Sequence, residues 1–370
     1  MADLQVKSLI FKKIPSGRLV PGEHLEVVSS PVDLTLPSTG GLSFKLLQVG
    51  LDPFMRDRMS ESTKDRYVPV FDLGSPINNS CIAKVIDSSI DDFKKDDLIT
   101  AILPFVEYGV LPKELLGPLQ VAKVVDLPPG IDPSLLLGPL GLAGATAWVS
   151  YFGIVKEDQE GLRAHPGKSF DVRHRAAETK TIWVSSAASS VGQIVGQLAK
   201  RDGYRVIGSV GSDEKLDFIV NTLGYHAGFN YKTEKAKDAI PRLAPDGLDC
   251  YYDNVGGDHL QAALDNMQPH GTICCCGSIS TYNVTEEERF GITNYGEIFR
   301  RRVTIRGFTF HELMPEYGSG FKEKMAKMIS NGSIKAEVNV YEGFDNIGQA
   351  FVDMLDGKAT GKVVVKVAEP

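Results

Sequence analysis

The residues best placed by type and spacing to do chemistry lie in Trp183–Lys200, WVSSAASSVGQIVGQLAK. An apolar run, a turn of small residues and a helical pattern follow one another. Such a turn sets unpaired backbone N–H groups at a helix N-terminus, where they and the helix dipole attract an anion. The anion this layout usually serves is a pyrophosphate, with glycines letting the backbone come close. Here the turn reads Ser186-Ala187-Ala188-Ser189-Ser190-Val191-Gly192, and only Gly192 fills a glycine place, with Gly196 one turn on. Serine is small, its hydroxyl can bond a phosphate oxygen, and Ser189 suits a helix N-cap. Taken alone, an ordinary strand–turn–helix is the better reading.

The next apolar run changes that balance. A site selective for NAD carries an Asp or Glu about 20 residues on, to accept from the ribose 2′-hydroxyl. Here VIGSVGSDEK brings Ser209-Val210-Gly211 to the strand tip with no acid, and Lys215 follows in the first helical turn. A lysine without a competing carboxylate draws a 2′-phosphate, so the pattern favours NADP. Asp213 and Glu214 count against it, although acids in a first turn are also ordinary helix residues.

Other chemistries find little support. The seven histidines form no H-x-x-H pair, and His311-Glu312 reads as a surface pair, so no catalytic zinc is expected. Cys274, Cys275 and Cys276 are consecutive; neighbours on a strand point to opposite faces, so they make no compact metal cage and read as core. A G-x-S-x-G nucleophile elbow is absent. Arg56, after DPFM, fits either a substrate or cofactor anion or a surface salt bridge. Trp148 and Tyr151 fit either a pocket wall or core packing.

These residues need elements to hold them. Residues 1 to about 140 carry short β-like runs broken by Pro and Gly, among them HLEVVSS, GLSFKLLQVGLDP, CIAKVIDSS and DDLITAILPF. From about 180, short apolar runs alternate with helical patterns at Val191–Arg201, Asp213–Leu223, Glu234–Leu243 and His259–Met267. That alternation predicts a parallel, doubly wound sheet. A helix is expected at roughly Tyr317–Asn331, and the last strand, GKVVVKV, returns to the first region. Residues 155–180 are polar and aperiodic and read as a surface insertion. The expected division is 1–140, 141–315 and 316–370.

The 370 residues suit two domains, and 42% hydrophobic with 24% charged content suits a globular chain. A net charge of −7 argues against nucleic acid or an anionic membrane as partner. The N-terminal stretch lacks a signal-peptide core, and no run spans a membrane, so a cytoplasmic location is expected.

Taken in order, LDPFMRDRM, AKVIDSSIDDFKKDDL, LGPLGLAGATAW, VGQIVGQLAK, GSDEK, FNYKT, DGLDCYYDNVGG and CGSISTYN resemble one family. It is the zinc-independent medium-chain dehydrogenase/reductases, in the leukotriene/prostaglandin reductase and plant–fungal alkenal double-bond reductase branch. The resemblance implies an α/β chain: a GroES-like, mostly β catalytic domain and a Rossmann domain with a doubly wound parallel sheet. It implies NADPH as cofactor and reduction of the C=C bond of enals and enones. Carried over, Ser189, Ser190, Val191 and Gly192 hold the pyrophosphate, and Lys215 and Tyr231 the 2′-phosphate. Asn254, Cys276, Gly277, Ser278, Ile279, Tyr282, Phe308, Thr309 and Phe310 line the ribose and nicotinamide; Thr146, Gly211 and Ser212 complete the cofactor set. Phe54, Arg56 and Trp148 are the substrate-pocket candidates. Three positions depart from the family: Ser189 replaces a glycine, Phe54 a tyrosine, and Ala359 the asparagine of Asn-x-Gly-Lys.

In enone reduction negative charge grows on the carbonyl oxygen, and a donor aimed there lowers the barrier. Tyr282 is the candidate, since a phenol donates without ionising near neutral pH; a packing role against the cofactor is equally open. Quinone reduction uses the same fold and cofactor and is the alternative reaction. The three departures also admit an NADPH-binding sensor or scaffold with little redox activity. A small-molecule substrate is the expected partner, and an edge strand near Val303–Gly307 offers a homodimer contact.

Overall fold

The structure, a computed structural model, describes residues 4–61, 68–124, 132–158 and 179–369. The chain forms two compact units: one runs to Gly138 and resumes at Val338, and the other is Pro139–Glu337.

The first unit opens with β1 (Leu4–Phe11), β2 (Leu25–Val32), β3 (Gly41–Leu51), β4 (Asn78–Ser88), β5 (Leu98–Pro104), β6 (Tyr108–Pro112) and β7 (Ala122–Lys123). The second unit supplies β8 (Thr181–Val184), β9 (Arg205–Val210), β10 (Ala227–Asn230), β11 (Leu248–Asp253), β12 (Met267–Cys275) and β13 (Thr304–Gly307). The chain then gives the first unit β14 (Val338–Glu342) and β15 (Lys362–Lys366).

In the first unit β1 and β2 pair antiparallel, and a larger sheet runs β14-β15-β3-β4-β5-β7 with β6 on β3. The alternation in LITAILP is realised along β5: Ile99, Ala101 and Leu103 are buried and their neighbours half-buried. The last strand, β15, returns to this unit, where it pairs antiparallel with β3.

Lys362 opens β15 and is only 1% exposed. Its Nζ donates to Asp52 Oδ1 at 2.5 Å, and Asn79 Nδ2 donates to Asp52 Oδ2 and to Gly50 O, each at 2.8 Å. A buried charge is tolerable when paired and hydrogen-bonded in this way. The group fixes the start of the Asp52–Arg58 segment. Arg56 lies on its helical turn Phe54–Asp57 and is not at the surface: Nη2 donates to Gly17 O at 2.6 Å and to Pro15 O at 3.2 Å. Arg56 is thus buried rather than at the surface where a salt bridge was considered. Phe54 packs half-buried on this unit's core.

The second unit's sheet runs β10-β9-β8-β11-β12-β13, and every pairing is parallel. Counted from β8, that is the order 3-2-1-4-5-6 of a dinucleotide-binding fold. β8 is buried along its whole length, as befits a parallel sheet covered on both faces.

Three boundaries differ from expectation. The Asp213–Leu223 pattern forms a helix at Asp213–Asp217 that widens into a π-turn at Phe218–Thr222. The helix after β11 is Gly257–Asn266, and Met267 already belongs to β12. The helix expected at roughly Tyr317–Asn331 spans Phe321–Ser330, and a further one, Phe310–Tyr317, precedes it. Gly320, at φ +67°, separates them. Both stay with the second unit, which reaches Glu337 where the sequence reading stopped at 315. Trp148 accounts for this: its Nε1 donates to Tyr317 O at 3.0 Å and its ring packs on Phe321. Of the insertion expected at 155–180, residues 159–178 lie outside the described residues.

Candidate dinucleotide site

Parallel pairing brings every strand's C-terminal end to one edge of the second unit's sheet. Ser189–Gly192 follow β8, Gly211–Lys215 follow β9 and Tyr231 follows β10. Asn254 follows β11, Cys276–Tyr282 follow β12 and Phe308–Phe310 follow β13. Segments more than a hundred residues apart in sequence thus share one edge, the usual place for a ligand in such sheets.

The turn after β8 is sterically exacting. A Cβ on Gly192 would sit 2.4 Å from Ser186 O and 2.9 Å from Ala187 Cα, so no other residue fits. Ser186 itself is left-handed, φ +51°, an unusual state for a non-glycine residue and one found at ligand-binding turns. Ser189 has no such backbone, so serine replaces the family's glycine there without conformational strain. Its Oγ accepts from Gly192 N at 3.1 Å, which leaves the hydroxyl proton available to a further acceptor. Ser190 Oγ is buried and has no partner. An orphaned hydroxyl beside a bare helix N-terminus fits a phosphate oxygen. Gly196 is bare for another reason: Tyr225 lies against it and donates to Gly192 O at 2.8 Å.

The helix Asp213–Asp217 starts at Ser212, whose Oγ accepts from Lys215 N at 3.3 Å. Lys215 is 8% exposed, and burial, then the nearby charge of Lys232, pushes its amine down to about 8. The Tyr231 hydroxyl stands over Gly211, 2.9 Å from where a Cβ would be. The two acids that counted against a 2′-phosphate are used locally. Asp213 Oδ1 accepts from Asn230 Nδ2 at 2.8 Å, and hydrogen bonds from its own amide and from Ser212 lower the Glu214 carboxyl. Lys215, Tyr231 and Lys232 are what a phosphate monoester requires: positive charge and a hydroxyl, partly desolvated.

Asp253 and Ser185, which sequence reading missed, hold the next two segments. Asp253 is 2% exposed; its Oδ1 accepts from Tyr251 Oη, Val255 N and Gly256 N at 2.8 to 2.9 Å. Burial still raises its carboxyl above the usual range. Ser185 Oγ accepts from Asn254 N at 2.9 Å, and Asn254 Nδ2 donates to Ser185 O at 2.7 Å. The loop after β12 lies on this turn. Cys276 N and Gly277 N donate to Asp253 O at 2.8 and 3.0 Å, and Ile279 N to Asn254 O at 3.2 Å. Ser278 Oγ meets Thr281 Oγ1 at 3.2 Å, and Tyr282 closes the short helical turn Ile279–Thr281, half-buried.

At the end of β13, Thr309 caps the helix Phe310–Tyr317 in a box with Glu312, and Phe310 packs on the His311 ring. His311-Glu312 is thus partly a capping element rather than a simple surface pair. Thr146 is half-buried on the helix Leu142–Ser150. Trp148 and Tyr151 are both buried, and the Trp148 ring packs on Phe152 and Phe321. Phe54 and Arg56 belong to the other unit. Among the described residues no group of three or more His, Cys, Asp or Glu could hold a metal ion.

The strand order and the loops at this edge define a Rossmann-type dinucleotide-binding unit. Family models described as "zinc-binding dehydrogenase" and "N-terminal domain of oxidoreductase" match residues 190–330 and 7–119. Dehydrogenase FUB6 of Gibberella moniliformis is 44% identical over 98% of each chain. NADP-dependent oxidoreductase RED1 of Cochliobolus heterostrophus is 38% identical over 99% of this chain and 98% of that one. The 2-alkenal reductase (NADP(+)-dependent) of Nicotiana tabacum is 32% identical over 98% and 97%. Among solved structures, CurA of Vibrio vulnificus in complex with NADPH superposes with a TM-score of 0.82 at 24% identity, over 98% of this chain and 100% of that one. The chain belongs to the zinc-independent medium-chain dehydrogenase/reductases, in their alkenal-reductase branch.

Proposed function

We propose that this NADP-dependent oxidoreductase reduces the activated C=C bond of α,β-unsaturated aldehydes or ketones. The observation that carries the reading is the full-length likeness to the tobacco 2-alkenal reductase. A sheet edge suited to a 2′-phosphorylated dinucleotide supports it. When bound, NADPH supplies a hydride to the β-carbon of the substrate. Ser189, Ser190 and the Gly192 end of the helix hold its pyrophosphate, and Lys215 and Tyr231 hold its 2′-phosphate. The loop Cys276–Tyr282, moored to the end of β11, lines its redox end. Tyr282 donates to the carbonyl oxygen as charge grows there, which stabilises the enolate-like transition state.

The test is NADPH consumption with enals, enones and quinones side by side. Turnover of enals or enones is expected; turnover of quinones alone would make the protein a quinone reductase. Tyr282→Phe is expected to lower kcat roughly tenfold to a hundredfold with NADPH affinity unchanged. An unaltered kcat would assign Tyr282 to packing.

A homodimer is part of the proposal. β13 is the sheet's edge strand, Ile305 on it is partly exposed, and Tyr295 and Phe299, which precede it in the chain, are 74% and 85% exposed. Sedimentation equilibrium is expected to give the mass of two chains, and Ile305→Lys to give one. A monomeric unaltered protein would remove this part of the proposal.

A further inference from the structure

The helix Gly192–Arg201 carries two glutamines one turn apart, and both are buried: Gln193 is 0% exposed and Gln197 8%. A buried side-chain amide brings donors and an acceptor that must be met inside the protein. Both glutamines find the same kind of partner. Gln193 Nε2 donates to Glu337 O at 3.2 Å, and its Oε1 accepts from Glu337 N at 2.9 Å. Gln197 Nε2 donates to Lys335 O at 2.7 Å, and its Oε1 accepts from Lys335 N at 2.9 Å. Gln197 Nε2 also donates to Gln193 O at 2.7 Å, which links the two amides.

The spacing explains why two glutamines serve. In an extended chain the N–H and C=O of one residue point the same way, and the pattern repeats two residues on, about 6.6 Å further along. Four residues of helix rise about 6 Å. Gln193 and Gln197 thus meet Glu337 and Lys335 as a neighbouring strand would, although Lys335–Glu337 belongs to no strand. Asparagine would fall one methylene short, and a carboxylate would face a carbonyl with nothing to donate. The segment is the one by which the chain leaves this unit: Glu337 is the unit's last residue, and Val338 begins β14. At its other end the same helix starts on the turn that fits a pyrophosphate. Gln193 follows Gly192 directly, and its backbone N–H donates to Ser189 O at 3.0 Å. The motif VGQIVGQLAK carries part of the resemblance, which gives these glutamines no role.

We propose that Gln193 and Gln197 are positioning residues for the pyrophosphate of the dinucleotide, setting the N-terminus of their helix by bonding it to the segment Lys335–Glu337. The proposal rests on the cofactor reading above. The helix can shift only by breaking both amide pairs, which would leave buried amide groups unsatisfied. Such coupling is reciprocal: the segment steadies the turn, and a filled turn steadies the segment.

Two measurements test this, each with NADPH and with adenosine 2′-monophosphate, which lacks the pyrophosphate. By titration calorimetry Gln193→Leu, which keeps the bulk and removes both bonds to Glu337, is expected to weaken NADPH roughly tenfold and leave the monophosphate within about twofold. Equal weakening of both ligands, or of neither, overturns the proposal. Should the variant not fold, hydrogen exchange at the Lys335 and Glu337 amides of the unaltered protein decides. Each ligand is supplied at the same multiple of its Kd, so that a gain in overall stability alone would be the same for both. NADPH is expected to slow the two amides roughly tenfold more than the monophosphate does. Equal slowing by both, or none by either, overturns the proposal. Failure of the unaltered protein to bind NADPH would overturn the cofactor reading and this proposal together. Normal NADPH binding with no such discrimination overturns the positioning role alone.

Discussion

Gly192→Ala is expected to weaken NADPH binding by roughly tenfold to a hundredfold. The added methyl would lie 2.4 Å from Ser186 O and 2.9 Å from Ala187 Cα, both backbone atoms that cannot rotate away. The turn must open, and Ser186, already left-handed, has no easier conformation to move into. Opening carries Ser189 and Ser190 away from the helix N-terminus and undoes the Gly192 N to Ser189 Oγ bond. Adenosine 2′-monophosphate, which has no pyrophosphate, serves as the internal control. Its affinity is expected to hold, since Lys215 and Tyr231 follow other strands. Calorimetric titration with both ligands checks this. Equal NADPH affinity in the variant would show that the pyrophosphate does not sit on this turn.

Lys215→Met is expected to weaken NADPH about a hundredfold and leave NADH unchanged, because a partly desolvated charge is lost from one side of a charge-assisted pair. The same residue sets a pH profile. In the free protein burial and Lys232 hold the amine at about 8, below the ordinary lysine value. A 2′-phosphate beside it favours the charged form, so binding raises that value. Below pH about 8 the proton is already present and affinity is at its plateau. Above that, binding must first restore the proton, and affinity falls by up to about tenfold per pH unit. On the acid side the phosphate gains its second proton near pH 6 or so, and affinity falls there too. NADH lacks the group and is expected to show neither limb. An NADPH affinity flat from pH 7 to 10, or a Lys215→Met loss shared equally by NADH, would remove Lys215 from the site.

The fold was legible where local pattern and tertiary role coincide. LITAILP alternates because one face of β5 is buried, and TIWV does not alternate because β8 is buried along its whole length. The helix pair at the end of the second unit was less legible. Phe310–Tyr317 contains Pro315, which argues against a helix, and its start is marked by a capping box on Thr309 and Glu312 rather than by apolar period. The candidate cofactor residues came from the motifs of the resemblance, and all but Thr146 sit just after a strand. The residues that hold them could not be read from such motifs. Ser185 meets Asn254 across 69 residues, Ser150 meets Tyr252 across 102, and Lys362 meets Asp52 across 310. No local spacing encodes such contacts; they exist only once each unit's sheet has formed. The bonds from Arg56 Nη2 to Pro15 O and Gly17 O span 41 and 39 residues and were equally hidden from the sequence.

The most direct test of the central claim follows the hydride. The protein is incubated with NADPH carrying deuterium at the nicotinamide C4 position and a simple enone, and the product is examined by mass spectrometry and NMR. The account predicts a saturated ketone with one deuterium on the β-carbon. An allylic alcohol labelled at the carbonyl carbon, or unlabelled enone recovered while NADPH remains unoxidised, would contradict it.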